Sequence, residues 1–257
     1  LLDYDIAYPR LFYADIATLT KLIDSIAQIF LLNVSNSTVT IKFLLSNYYK
    51  SNIRFAISVH CDRAFFTYKN TPRININAKS RKFYEIAKTI AKQNNSSIRF
   101  EFDHGVRICT YISLHICDDK IDLIKSLKIK NPKKISALVA EPNLYAFNIL
   151  KKDLEFIGID VKPSGDWSII KRHIEDMIFH PNIVFIKESL LSEINDALVA
   201  ILIEKKIALV VLKTTNSAVN LNPKIRVWTL DQPYLSDTLV HILNEAYEFE
   251  MKNMDKV

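Results

Sequence analysis

The chain has 257 residues, 49% apolar and 24% charged, with 34 Lys and Arg against 28 Asp and Glu for a net charge of +6. This is the profile of a globular protein with room for two ordinary domains; it shows neither a secretory leader nor the run of about 18 apolar residues that a membrane span needs. Cys61, Cys109 and Cys117 have no CxxC spacing and the six histidines form no HxxxH or HExxH set, which excludes a disulfide framework and a zinc signature.

In chain order, Leu19, Leu22, Ile23, Ile26 and Phe30 recur at helical spacing and predict a helix over residues 14–31. Strand-like runs follow at 39–45 and 53–59, joined as a hairpin by the polar link SNYYKSN. Phe83, Ile86, Ala87, Ile90 and Ala91 predict a helix over 81–93. Two more strands, 98–102 and 106–114, turn at Asp103-His104-Gly105. Helices grouped on one face of a mostly antiparallel sheet give a two-layer α/β sandwich over residues 1–119.

The Lys-rich stretch from Lys120 to Lys134 contains Pro132 and reads as a basic linker over 120–134. Charge divides there. Residues 1–120 carry 16 basic and 10 acidic side chains, while 121–257 carry 18 of each. Beyond the linker, apolar runs at 135–140, 159–161, 183–186, 207–212 and 225–230 alternate with segments of helical spacing. Leu235, Leu239, Ile242, Leu243 and Ala246 mark the face of the last helix. Five strands alternating with five helices predict a doubly wound, parallel, flavodoxin-like domain over 135–250.

Glycine bears on function. Gly105, Gly158 and Gly165 are all there are, where average usage of about 7% would give roughly 18. Phosphate-cradling loops need glycine for close backbone approach, so no nucleotide loop of that kind is present.

The segment from Ala137 through Glu141 and Pro142 to Asn143 resembles the opening of a response-regulator receiver domain, whose first strand ends in two acidic residues. The run 182–187 is similar to the third strand, which in that family ends in the phosphoacceptor aspartate. Gln232-Pro233 matches the lysine-proline step after the fifth. The resemblance implies that Glu141 keeps one acid while Pro142 fills the second acidic position. Lys187 stands at the nucleophile and Gln232 at the lysine, with Leu212 or Lys213 near the usual hydroxyl. A lysine cannot accept a phosphoryl group by the aspartyl route, and its charge repels Mg²⁺. Lys187 is expected to pair with Glu141 in the metal's place; the competing reading is that it reaches solvent from a strand end.

The opening, with Asp15 before its helix, resembles the entry to a histidine kinase ATPase domain. The helix at 81–93 and its following hairpin resemble that domain's close. By that resemblance Ser25 and Ile29 stand at the asparagine box, and Cys61-Asp62-Arg63 at the adenine-binding DxGxG. Lys79, Arg81 and Phe83 replace the lid glycines, and the lid shortens to about residues 68–78. The implied whole is the carboxyl-terminal part of a degenerate hybrid sensor histidine kinase: a catalytically inactive scaffold with no cofactor, in which neither ATP nor Mg²⁺ is an expected ligand. Its partners would be proteins, including a second copy through the receiver-like half, with Trp228 and Tyr234 as contact or core residues.

Two other readings carry less. One is a residually active hybrid kinase. The other is nucleic-acid binding by the basic first half and the 120–134 stretch, with Tyr48, Tyr49, Phe65, Phe66 and Tyr68 nearby. Because the chain opens at Leu1 rather than Met, it is expected to be a cytoplasmic piece of something longer, its sensor or membrane part upstream.

Overall fold

A computed structural model describes residues 1–6, 8, 11–62, 77–102, 105–117, 135–162, 164–214, 219, 221 and 225–254, with side chains up to residue 248. The expected linker, Arg63, Phe65, Phe66, Tyr68 and the Asp103-His104 pair lie outside the described residues. The chain divides into two compact units, Leu1–Leu123 and Ile124–Val257.

The first unit runs β1 (Leu2–Tyr4), β2 (Phe12–Tyr13), α1 (Ile16–Leu31), β3 (Val39–Tyr49), β4 (Asn52–Cys61), α2 (Ala78–Gln93), β5 (Arg99–Glu101) and β6 (Val106–Ile116). Its sheet has the order β1-β3-β4-β6-β2, with β5 also on β6. β1 joins β3 in parallel, and the other pairs are antiparallel. α1 starts where the Asp15 carboxylate accepts from the Thr18 N–H (3.1 Å) and hydroxyl (2.6 Å). One face of each helix then meets one face of the sheet. Leu22, Ile26, Ile29 and Phe30 of α1, with Ala87 and Ile90 of α2, pack on Ile53, Phe55, Ile57 and Val59 and on Val106, Ile108 and Ile112. The period of two along β4 and β6 is what sends those side chains to the helices. Each such side chain contributes about 1.5–3 kcal/mol of burial.

One expectation changes here. The SNYYKSN segment is mostly strand: the β3–β4 ladder runs out to Tyr49 opposite Asn52, leaving Lys50 (φ 54) and Ser51 as the turn. Tyr48 and Tyr49 favour extended backbone, and an irregularity in the pairing between Leu45 and Asn47 keeps the register. At the other hairpin Gly105 is required. It sits at φ +127, and a Cβ there would stand 2.2 Å from the Cys61 carbonyl oxygen.

The second unit runs β7 (Ser136–Ala140), α3 (Leu144–Phe156), β8 (Asp160–Val161), α4 (Trp167–Glu175), β9 (Ile183–Lys187), a 3-10 stretch (Glu188–Glu193), α5 (Asp196–Glu204), β10 (Ala208–Lys213), β11 (Val227–Asp231) and α6 (Ser236–Met254). All strand pairs are parallel and the order is β11-β10-β9-β7-β8, the flavodoxin-like winding. Leu138, Ala140, Val184, Ile186, Leu209 and Val211 share one core with Ile170, Ile174, Leu198 and Leu202 of α4 and α5. Alternate residues Ala137, Val139, Phe185 and Val210 are buried as well, as a sheet covered on both faces demands. Among the described residues four α-helices accompany the five strands; most of the segment between β10 and β11, where the fifth helix is expected, lies outside the described residues. Leu235, expected on the last helix, precedes α6 and is exposed. No described helix is long and apolar enough to cross a membrane.

Carboxylates at helix starts and turns carry a pH dependence. Asp15 before α1 and Asp166 before α4 are held below the usual carboxylate range by hydrogen bonds from Thr18 and Ser168, and Asp176 by the N–H groups of Ile178 and Phe179. A depressed carboxyl contributes stability present above the unfolded-state pKa of about 4 and lost as pH falls through the lower folded value. Urea unfolding followed by circular dichroism should show stability falling below about pH 4, with a smaller fall in Asp15→Asn and Asp166→Asn, which keep the cap without the charge.

Candidate functional site at the carboxyl ends of the parallel strands

The carboxyl ends of β7 and β9, together with the turn that follows β11, bring Glu141, Lys187 and Gln232 together. Apolar strand residues up to Ala140 and Ile186 fix the rim's position, and the first polar residue after each run faces its neighbours there. Glu141 is only 3% exposed. One of its oxygens accepts from the Asn143 N–H at 3.0 Å. The other, Oε2, has no hydrogen-bond partner among the described residues and lies 3.9 Å from Lys187 Nζ. Lys187 gives its direct hydrogen bond, 2.7 Å, to Gln232 Oε1. The ammonium therefore sits between a buried carboxylate and a neutral amide, bonded to the amide and compensating the carboxylate at longer range.

Pro142 is exposed beside Glu141, and Pro233 follows Gln232 through a cis peptide. Neither brings a charged group to the rim. Leu212 is buried in β10 and Lys213 ends it. The hydroxyl that reaches the rim is one residue further on. Thr214 donates through its N–H (2.8 Å) and its hydroxyl (2.5 Å) to Glu188 Oε1, beside Lys187. Sequence reasoning missed this tie. The signal available was the hydroxyl residue just after an apolar strand run; matching the position to Leu212 or Lys213 stopped short of it.

Trp228 and Tyr234 have internal partners. Trp228 is buried and its indole donates to Glu245 at 2.9 Å, while the Tyr234 hydroxyl donates to Asp153 at 3.0 Å.

In the first unit the positions matched to an ATP site divide between the core and the surface. Ser25 and Ile29 are buried on the core side of α1, and Cys61 is buried at the end of β4. Lys79 and Arg81 lie exposed in the first turns of α2, with Phe83 on the same helix against the core. At the amino end of α2 the chain supplies its own cap. Asn77 Oδ1 accepts from Ser80 N at 2.8 Å, and Asn77 Nδ2 donates to Asn33 Oδ1 at 2.8 Å, tying the segment after α1 to the start of α2.

Among the described residues no group of three or more His, Cys, Asp or Glu side chains could hold a metal ion. No protein-family model matches the chain, and no curated protein matches it either. The crystal structure of full-length ShkA in complex with AMPPNP is similar over 95% of this chain and 51% of its own, with a TM-score of 0.64 and 11% identity. A blue-light activated histidine kinase, Erythrobacter litoralis EL346, aligns over 40% of this chain and 33% of its own at 10% identity; its TM-score of 0.27 does not establish a shared fold. The chain thus spans about half the length of ShkA, and at such identity the likeness is one of fold. The chain has a histidine kinase-like fold.

Proposed function

We propose that this chain is a two-component signalling protein whose kinase-like and receiver-like units have lost phosphoryl transfer and act as an interaction or regulatory scaffold. The observation that carries the reading is Lys187. An ammonium stands at the end of β9, bonded to Gln232 and 3.9 Å from the buried Glu141 carboxylate, where a phosphoacceptor would need a carboxylate and a divalent ion. A cation already placed there opposes Mg²⁺ by like-charge repulsion.

The amino end of α2 supports the same reading for the first unit. Free N–H groups at a helix start receive phosphates. Here Asn77 takes the Ser80 N–H and is itself held by Asn33. One N–H of that turn is thereby already taken, which leaves fewer donors for a nucleotide's phosphates. The partners of such a scaffold are proteins, a second copy of the receiver-like unit among them.

The full chain incubated with Mg²⁺ and acetyl phosphate is expected to gain no phosphoryl group by intact-mass measurement. In calorimetry it is expected to bind Mg-ATP no tighter than about 100 μM. Stable phosphorylation of the second unit would sink the proposal, and tight ATP binding would sink its first-unit half.

A further inference from the structure

The second unit carries a cleft of about 770 Å³ beside Glu141. It opens where the end of β7 leads into α3, between that segment, the residues before α4 and the 3-10 stretch. β7 lies between β8 and β9 in the sheet, so its chain connections leave in opposite directions there. In open α/β sheets that reversal makes a crevice outside the carboxyl ends of the strands. The volume falls within the range of about 300–1,000 Å³ typical of small-molecule sites.

The lining decides what chemistry fits. Leu144, Phe147, Trp167 and Leu190 supply apolar and aromatic wall, while Asp166 and Glu193 supply carboxylates and Glu141 stands at the inner end. Among the described residues no Lys or Arg lines the cleft. Lys187, the cation next to Glu141, is not in the lining either and gives its hydrogen bond to Gln232. An anion is therefore opposed, and a positive group gains both from the carboxylates and from the faces of Trp167 and Phe147. A metal ion does not fit, since no three acidic, His or Cys side chains among the described residues are grouped to hold one.

Two features keep the cleft in shape. Asp166 Oδ1 accepts from Ser168 N (2.8 Å), Ser168 Oγ (2.6 Å) and Ile169 N (3.3 Å), which fixes the carboxylate at the start of α4. Gly165 lets its backbone lie directly on the end of β7. A Cβ there would come within 2.7 Å of the Glu141 carbonyl oxygen and 3.0 Å of Phe147 Cδ2, so any side chain would displace the wall.

We infer that this cleft binds a small organic cation, an amine or guanidine carried on an apolar body. The cleft shares Glu141 with the Lys187 contact on which the scaffold reading rests, but Asp166 and Glu193 lie outside that contact, and the inference stands whether or not phosphoryl transfer is lost.

The test uses the full chain. The chain has two tryptophans, so Trp228→Phe leaves Trp167 in the cleft as the sole indole reporter. Titration with 2-phenylethylamine, 4-phenylbutylamine and agmatine is expected to change its emission saturably for at least one of them, with Kd on the order of 1 mM or tighter. Ligand-observed NMR on the unaltered chain should give the same Kd. Asp166→Asn with Glu193→Gln, which keeps the helix cap, is expected to weaken binding about ten-fold or more, and Gly165→Ala to abolish it with the circular dichroism spectrum unchanged. Failure of all three amines to saturate below about 10 mM would overturn the inference. So would equal binding of neutral 2-phenylethanol, unchanged affinity in the charge-neutral variant, or binding confined to Arg-bearing peptides.

Discussion

Replacing Phe55 with Ala is expected to destabilise the first unit by about 3–5 kcal/mol, the largest loss from any single side chain considered. Phe55 is fully buried in the middle of β4. Its ring centroid lies 5.4–6.0 Å from those of Tyr4, Tyr8, Phe12 and Phe43, in edge-on or tilted arrangements. Those partners come from β1, the residues after it, β2 and β3, so one ring holds the two short outer strands to the sheet. Truncation removes the transfer energy of the ring and leaves a cavity that a close-packed core fills only in part. Against a typical total of about 5–15 kcal/mol, that is enough to leave the unit partly unfolded. Urea unfolding followed by far-ultraviolet circular dichroism tests it. Both tryptophans, Trp167 and Trp228, belong to the second unit, so their fluorescence is silent on this loss and separates the two transitions. A shift below about 1 kcal/mol would show that the aromatic cluster does not hold the outer strands.

The second large effect concerns Lys187. Lys187→Met keeps most of the side-chain stem but strips the counter-charge from Glu141, and is expected to cost about 2–4 kcal/mol in the second unit. The carboxylate is 3% exposed and one oxygen has no hydrogen bond among the described residues, so the ammonium 3.9 Å away is what offsets its burial. Adding Glu141→Gln removes the stranded charge and keeps an acceptor for the Asn143 N–H, so the double variant is expected to recover most of the loss. The interaction energy from the cycle should be about 1–3 kcal/mol, read from tryptophan fluorescence in urea. A neutral Lys187→Met would mean that the side chain only reaches for solvent.

The second unit was the more legible half. Its five apolar runs each became a strand within two residues of the expected ends: the central strands β7, β9 and β10, buried on both faces, leave an uninterrupted apolar trace, and the edge strands β8 and β11 alternate buried with exposed residues. The last helix was legible through Leu239, Ile242, Leu243 and Ala246, all buried, while Leu235 shared the spacing without the burial. β1 and β2 left no trace, since two or three residues are too few for any period. The hairpin link misled because tyrosines and asparagines look polar on average, yet Tyr48 and Tyr49 extend a ladder readily.

The rim was half legible. Lys187, Glu141 and Gln232 could be matched by order along the chain, and the structure brings them together. That the lysine bonds the amide and only neighbours the carboxylate depends on side-chain geometry, which spacing does not encode. The Glu188–Thr214 tie was missed as well, although the hydroxyl residue just after the β10 run marked one end of it. In the first unit, the Asn33–Asn77 bond joins two residues far apart in sequence, and neither sits in a recognisable motif.

Lys187 and Glu188 together reach the turn after β11, the end of β7 and the residue after β10. Three separate segments are thereby fastened to one dipeptide. Such a rim is expected to open as a single cooperative patch, with amide exchange at its members rising and falling in step, so that whatever grips one segment tightens the other two.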